Sequence, residues 1–389
     1  AEVPSSGTRH VVGGFLELVA PVAKGVELTA ALRHDHYSDF GNTTNAKLSG
    51  RWQPASGVLI RGSVGTGYKA PSILQVKASR QLFGVSGDFV DCSAPDRNGV
   101  TLDDIAVSLG AVCPDGQQAD VIAQGNSGLQ PERSVQASLG LRVEPSPSLS
   151  IGADFWTVGI RNAIGQVDPN ALLNDLNANL GSFTTSLSAT TGQNQLAFFV
   201  PNQNLGKAYR AGIDVDVVGR TVLARSVSVT SQLTATHMLR DQYQLGKGGA
   251  YSSSLGRFGN DQRVTFRWQA RWVNTFDVGR ASHTLVLNYK SGYRDQDVSA
   301  ETVNDDGSIR ALVDGIKRRV SDHLTLDWQS RWRLSSQVDV NVGLINAFDN
   351  DPPLSLAIGG LNQGFQVGYD DRYYDPRGRT VYLNLAYRF

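Results

Sequence analysis

Apolar and polar residues alternate with period two through most of the chain. At the C-terminus Val381, Leu383, Leu385, Tyr387 and Phe389 share one face, and Tyr382, Asn384, Ala386 and Arg388 the other. That is the pattern of a strand with one apolar face. Leu324, Leu326, Trp328 and Trp332 alternate in the same way with His323, Thr325, Asp327, Gln329 and Arg331. Val338, Val340, Val342 and Leu344 alternate with Asp339, Asn341 and Gly343. Val264, Phe266, Trp268, Ala270 and Trp272 oppose Arg263, Thr265, Arg267, Gln269 and Arg271. The alternation predicts about 13 strands, near 10–20, 26–37, 44–53, 58–69, 134–144, 149–160, 208–219, 226–239, 263–275, 281–293, 321–333, 337–348 and 380–389. Short helical pieces are predicted inside loops at Leu102–Leu109 and Asn170–Leu176.

The connections alternate in length. Short turns are predicted at 21–25, 54–57, 145–148, 220–225, 276–280 and 334–336, and longer loops at 38–43, 70–133, 161–207, 240–262, 294–320 and 349–379. A meander with short turns at one end and long loops at the other is the pattern of a transmembrane β-barrel of the outer-membrane type. A soluble sandwich also alternates, but has no reason to sort its loops by length. The polar face carries Arg263, Arg267, Arg271, Asp327, Arg331 and Asp339, which face the lumen if the apolar face meets lipid. Trp52, Tyr68, Trp272, Tyr293, Trp332 and Tyr387 lie near strand ends, as aromatic girdles do. The fold class is therefore all-β, an antiparallel transmembrane β-barrel meander. An odd strand count departs from the even number of bacterial single-chain barrels. Either one strand is missed, or the chain is the C-terminal part of a larger barrel.

Composition narrows the function. Lys+Arg is 36 and Asp+Glu is 36, a net charge of zero, whereas nucleic-acid binders usually carry a basic surplus. No apolar run reaches the ~18 residues of a transmembrane helix, which says nothing against a barrel. The start, AEVPSSGTRH, lacks the basic start and apolar core of a signal peptide, so either processing removed one or the chain starts partway into a longer protein. Cys92 and Cys113 form no CxxC and have no histidine nearby. Their loop setting suits a disulfide in an oxidising compartment, with two free thiols as the alternative and a zinc site disfavoured by the spacing. His34 and His36 share a strand face but keep the parity of Val26, Leu28 and Leu32, an interface position rather than a metal pair. Asp305, Asp306 and Gly307 start like a calcium loop whose remaining ligand spacing is missing. No catalytic constellation, cofactor motif or metal-ligand set stands out, and no enzyme activity is expected. Asp370, Asp371, Arg372, Tyr373 and Tyr374 mix aromatic surface with charge in the last long loop, as a ligand mouth would.

Four segments carry a resemblance: RHDHYSDFGNTTNAKLSGRWQP (33–54), GTGYKAPS (65–72), NSGLQPERS (126–134), and the pair LINAFDNDPP (344–353) with DPRGRTVYLNLAYRF (375–389). Together, and in this order, they resemble the C-terminal barrel of a TonB-dependent outer-membrane receptor. The resemblance implies a barrel of about 22 strands with a plugged lumen, of which residues 1–389 would be the C-terminal part, without plug or TonB box. It implies a bacterial outer-membrane location and active uptake of a scarce ligand: a ferric siderophore, haem, cobalamin or an oligosaccharide. The partners implied are outer-membrane lipid, TonB through a plug not in this chain, and the barrel-assembly machinery, which would read Tyr387 and Phe389. Two other classes stay open: a passive porin-like channel, and an adhesin-like barrel that binds through loop 70–133.

Overall fold

The computed structural model describes residues 6–86, 89–96, 98–166, 172–173, 176–244, 246, 249–261, 263–295, 298–303, 309–316, 318–355 and 368–388. Strands β1 (Val11–Ala23), β2 (Val26–Tyr37), β3 (Gly41–Ala55) and β4 (Val58–Lys69) open the chain as consecutive hairpins. The next long loop holds α1 (Ile73–Lys77), β5 (Gln81–Val85), α2 (Leu102–Ser108) and β6 (Asp120–Ala123). Hairpin β7 (Glu132–Ser146) and β8 (Leu149–Gly165) follows, then loop strands β9 (Phe183–Leu187) and β10 (Asn194–Phe199). After β11 (Gln203–Ala224), β12 (Val227–Tyr243), β13 (Trp268–Val278) and β14 (Ala281–Lys290) come the loop strands β15 (Tyr293–Arg294), β16 (Val298–Val303), β17 (Ile309–Ile316) and β18 (Arg319–Val320). Strands β19 (His323–Arg333), β20 (Val338–Ile345) and β21 (Thr380–Tyr387) complete the described chain.

Thirteen strands form one antiparallel sheet in the order β1-β2-β3-β4-β7-β8-β11-β12-β13-β14-β19-β20-β21. This is the predicted meander, and the short turns all fall at one end. Gly25 shows why those turns need glycine: its φ is +72°, and an added Cβ would sit 2.6 Å from the Gln53 carbonyl oxygen.

The register gives the sheet a polar and an apolar face. On the apolar face Val381, Leu383 and Leu385 are 70, 68 and 70% exposed, a continuous apolar surface that suits lipid. Ion pairs lace the polar face. Arg61 grips Asp154 at 2.8 and 2.6 Å, Arg142 reaches Asp216 at 2.5 Å, and Arg331 and Arg388 share Asp339. Glycines opposite make room: a Cβ on Gly140 would lie 2.0 Å from Asp154 Oδ1. The buried residues that pack into cores lie mainly in the loops.

Several expectations shift. The strand predicted from 263 starts at Trp268, and Arg263 and Arg267 lie in the loop before it, not on the lumen wall. Val264 and Phe266 alternate like strand residues because both are buried in a loop core. Arg271, Asp327, Arg331 and Asp339 do sit on the polar face of the sheet. Tyr293 is buried in the loops and Tyr68 is hydrogen-bonded to Asp35 and Tyr37, so neither is a girdle residue. Strand ladders also run further than their apolar stretches. The predicted loop 161–207 shrinks to 166–202, 70–133 to 70–131, and 240–262 moves to 244–267. Loops 294–320 and 349–379 instead lengthen, to 291–322 and 346–379. Helix α2 matches its prediction. Asn170–Leu176 falls largely outside the described residues, as do Asp305–Gly307 and Phe389.

Candidate ligand site at the long-loop end

The long loops fold into two clusters. In the first, loops 70–131 and 166–202 build a four-stranded sheet, β5-β6-β10-β9. Its β6–β10 pairing is parallel and joins the two loops, with Ala197 opposite Asp120. Leu102, Ile105, Val121, Leu176, Leu196 and Phe198 fill its core. Cys92 and Cys113 form a disulfide inside that core. Asp103 lies close enough to join the two sulfurs as a metal group, but the disulfide leaves no thiolate to ligate.

The second cluster gathers loops 244–267, 291–322 and 346–379 around Phe266, with Val264, Tyr293, Val320 and Tyr374. Edge-to-face contacts order it: the Phe266 ring lies 5.3 Å from Tyr373 and 5.9 Å from Tyr293. The Val264 N–H donates to the Tyr373 hydroxyl at 3.1 Å. Asp370 is fully buried and accepts two bonds from the Arg372 guanidinium, at 2.8 and 2.6 Å. Arg372 also stacks over Phe258 and Tyr373. Of the candidate mouth residues, Asp370 and Arg372 thus close on each other, and Arg372 ties the last loop to Phe258.

Tyr373 and Tyr374 instead line a hollow of about 320 Å³ beneath that loop, with Lys290, His323, Asp327 and Arg377. Lys290 donates to the Tyr373 carbonyl and lies 5.3 Å from the Tyr374 ring. The Tyr374 hydroxyl is buried with no hydrogen-bond partner among the described residues, and burial pushes its pKa up, so it stays a protonated donor. A second hollow of about 440 Å³, lined by Asp154, Asp214, Asp216, Thr236 and Arg271, shares Asn288 and Lys290 with the first. The two form a polar route along the sheet's inner face. Lys290, His323 and Arg377 were not singled out from sequence. The parity of Lys290 with Asn288 and Thr284 was legible, but its contact with Tyr373, 83 residues away, was not.

Arg377 donates to Asp375 through its side chain and its own N–H, and holds that carboxyl down at about 2 against an ordinary 3.8. A lowered carboxyl stabilises the folded loop above its ordinary value and loses that contribution as pH falls towards its folded value. Both side chains are exposed, so the effect is small. Hydrogen exchange of the last loop, corrected for the intrinsic rate at each pH, should be constant above about pH 4 and rise slightly between about pH 4 and pH 2.

His34 and His36 lie on the apolar face, and each Nδ1 meets a neighbour, Thr44 and Asn42. Tyr387, the last residue of β21, is exposed on the apolar face.

The chain matches a family model described as TonB dependent receptor-like, beta-barrel, over residues 2–347. No match was found among curated proteins. Among solved structures it is similar to the siderophore receptor PirA from Acinetobacter baumannii, at 16% identity and a TM-score of 0.63, over 98% of this chain and 46% of that one. It is also similar to a mutant of the ferric enterobactin receptor PfeA from Pseudomonas aeruginosa, at 18% identity and 0.62, over 97% and 45%. The copper transporter OprC is similar at 14% identity and 0.52, over 98% and 50%. At these identities the likeness is one of fold. The chain spans about half the length of the solved structures it matches.

Proposed function

Because the chain belongs to the TonB-dependent receptor-like β-barrel family, we propose that it forms barrel wall and outer mouth of an outer-membrane receptor for TonB-driven uptake of a scarce ligand. In this reading its thirteen main-sheet strands are the C-terminal part of the barrel. The plug through which TonB acts lies outside these 389 residues. The strands pass through lipid, and the barrel-assembly machinery inserts them.

The observation that carries the reading is the pair of adjoining hollows. A mouth lined by Lys290, His323, Arg377, Tyr373 and Tyr374 opens onto a charged wall. Cations beside aromatic rings suit an anionic, aromatic chelate, so a ferric catecholate siderophore is the ligand to test first, ahead of haem, cobalamin or an oligosaccharide. The similarity to siderophore receptors is in keeping with that choice.

The test is uptake of iron-labelled ferric enterobactin by cells that depend on this protein. Uptake that stops when TonB is deleted or the proton gradient is collapsed supports active transport. Uptake that persists in both cases points to a passive channel and overturns the proposal. Within the same assay, Lys290→Gln should weaken binding of the ferric chelate by about ten-fold, the loss of one charge-assisted contact. Its affinity for an uncharged oligosaccharide should not change.

A further inference from the structure

Three cations stand in register on the apolar face near the long-loop end. Arg133 of β7 lies directly opposite Arg161 of β8, and Arg161 lies opposite Lys207 of β11. They keep the parity of Val135, Leu139, Phe155 and Ile213, so they point outward with the lipid-facing residues. All three are exposed, and among the described residues none has a carboxylate partner. Like charges directly opposite each other repel, and a cation on a lipid face is tolerated only near an interface.

The surroundings suit an anion. One step closer to the apolar band, the Tyr209 ring lies over Gly159, with Arg240 stacked 5.2 Å from its centre. A hollow of about 270 Å³ opens where β3 and β4 part, lined by Thr44, Thr66, Arg133, Arg161 and Tyr209. Repelling cations and a tyrosine shelf meet beyond the end of the apolar band, the level of the lipid head groups when the strands span a membrane.

We propose that this outward row is a binding site for the phosphate ester of an outer-leaflet lipid head group. Arg133, Arg161 and Lys207 neutralise the phosphate, and Tyr209 seats the boundary between head group and chains. The site is separate from the ligand route, which lies on the opposite face of the sheet. It rests on the reading that the strands span a membrane.

The test uses the protein at its native length, extracted from outer membranes into a neutral, phosphate-free detergent. Native mass spectrometry follows titration with diphosphorylated lipid A and with the same lipid after dephosphorylation. The phosphorylated form should bind at least about ten-fold more tightly. Arg133→Gln, Arg161→Gln and Lys207→Gln together should abolish that preference, while Arg133→Lys with Arg161→Lys should keep it. In the lipid-free detergent, Arg161→Gln alone should raise the unfolding temperature, because it removes the cation between two others.

Equal affinity for the two lipids, or an unchanged preference in the triple variant, overturns the site. Displacement of the lipid by millimolar inorganic phosphate would show that a free anion is taken instead, and overturns the lipid assignment. Protease protection of the sheet in phosphatidylcholine vesicles reads the membrane-spanning state separately. Its loss sinks the barrel reading, whereas intact protection without phosphate preference sinks this site alone.

Discussion

Leu383→Arg should destabilise the folded protein by about 2–4 kcal/mol in a bilayer, and Asn384→Arg by much less. The register decides this. Leu383 pairs with Val342, and both share the outward parity of Val340, Leu385 and Val381. Asn384 pairs with Asn341 on the polar face, with Tyr382 and Ala386 as its same-face neighbours. At position 383 a guanidinium sits midway along β21, with lipid on its side of the sheet and no carboxylate in register. At position 384 it joins a face that already holds Arg331, Asp339 and Arg388. Urea-induced unfolding in phosphatidylcholine vesicles, followed by tryptophan fluorescence, measures both variants against the parent. Equal losses would mean that the two faces are not lipid and lumen.

Removing the disulfide has the other large effect. Cys92 and Cys113 are 21 residues apart, and closing a loop of that length contributes roughly 3 kcal/mol in the chain-entropy account. The sulfurs are also core: Cys92 is 1% and Cys113 8% exposed, between Ala106, Val121 and Phe198. Cys92→Ser with Cys113→Ser should therefore unfold the loop sheet and leave the thirteen-stranded sheet intact. Limited proteolysis of whole cells would show new cuts within 70–131 and 166–202, while the β-sheet circular dichroism of the purified protein stays close to that of the parent. Unchanged protection of those loops would show that the core holds without its cross-link. Because the bond is buried, a mild thiol reductant should act on the folded parent only slowly.

Much of the barrel was legible in sequence because its rule is local. A strand with one apolar face announces itself in eight to twelve residues, and the predicted bounds 26–37 and 58–69 coincide with β2 and β4. Where a strand continues beyond its apolar band, parity persists but hydrophobicity stops, so Arg161 and Lys207 looked like loop. Six of the eight loop strands, all but the β16–β17 hairpin, were missed for a different reason. Their order comes from contacts between distant segments, such as β6 with β10, and from side chains buried by neighbouring loops. Val264 and Phe266 carry a strand's alternation without being in one, since burial under Tyr373 and Tyr293 selects the same residue types. At the mouth, the sequence singled out the last long loop. It could not tell that Asp370 and Arg372 satisfy one another while Tyr373 and Tyr374 turn towards Lys290, because that division is made by the folding of three loops together.

The parallel pairing of β6 with β10 also has a consequence for the order of assembly. Between these strands in the chain lies the whole β7–β8 hairpin. The segment around Asp120 can meet that around Ala197 only after the chain has travelled inward along β7 and back out along β8. Contacts so distant in sequence form late. The cystine closes within the first of the two loops alone, so an oxidase can complete it before the hairpin is in place. The cross-link thus needs nothing from the second loop, whereas the four-stranded sheet is complete only when the hairpin has brought β10 to β6.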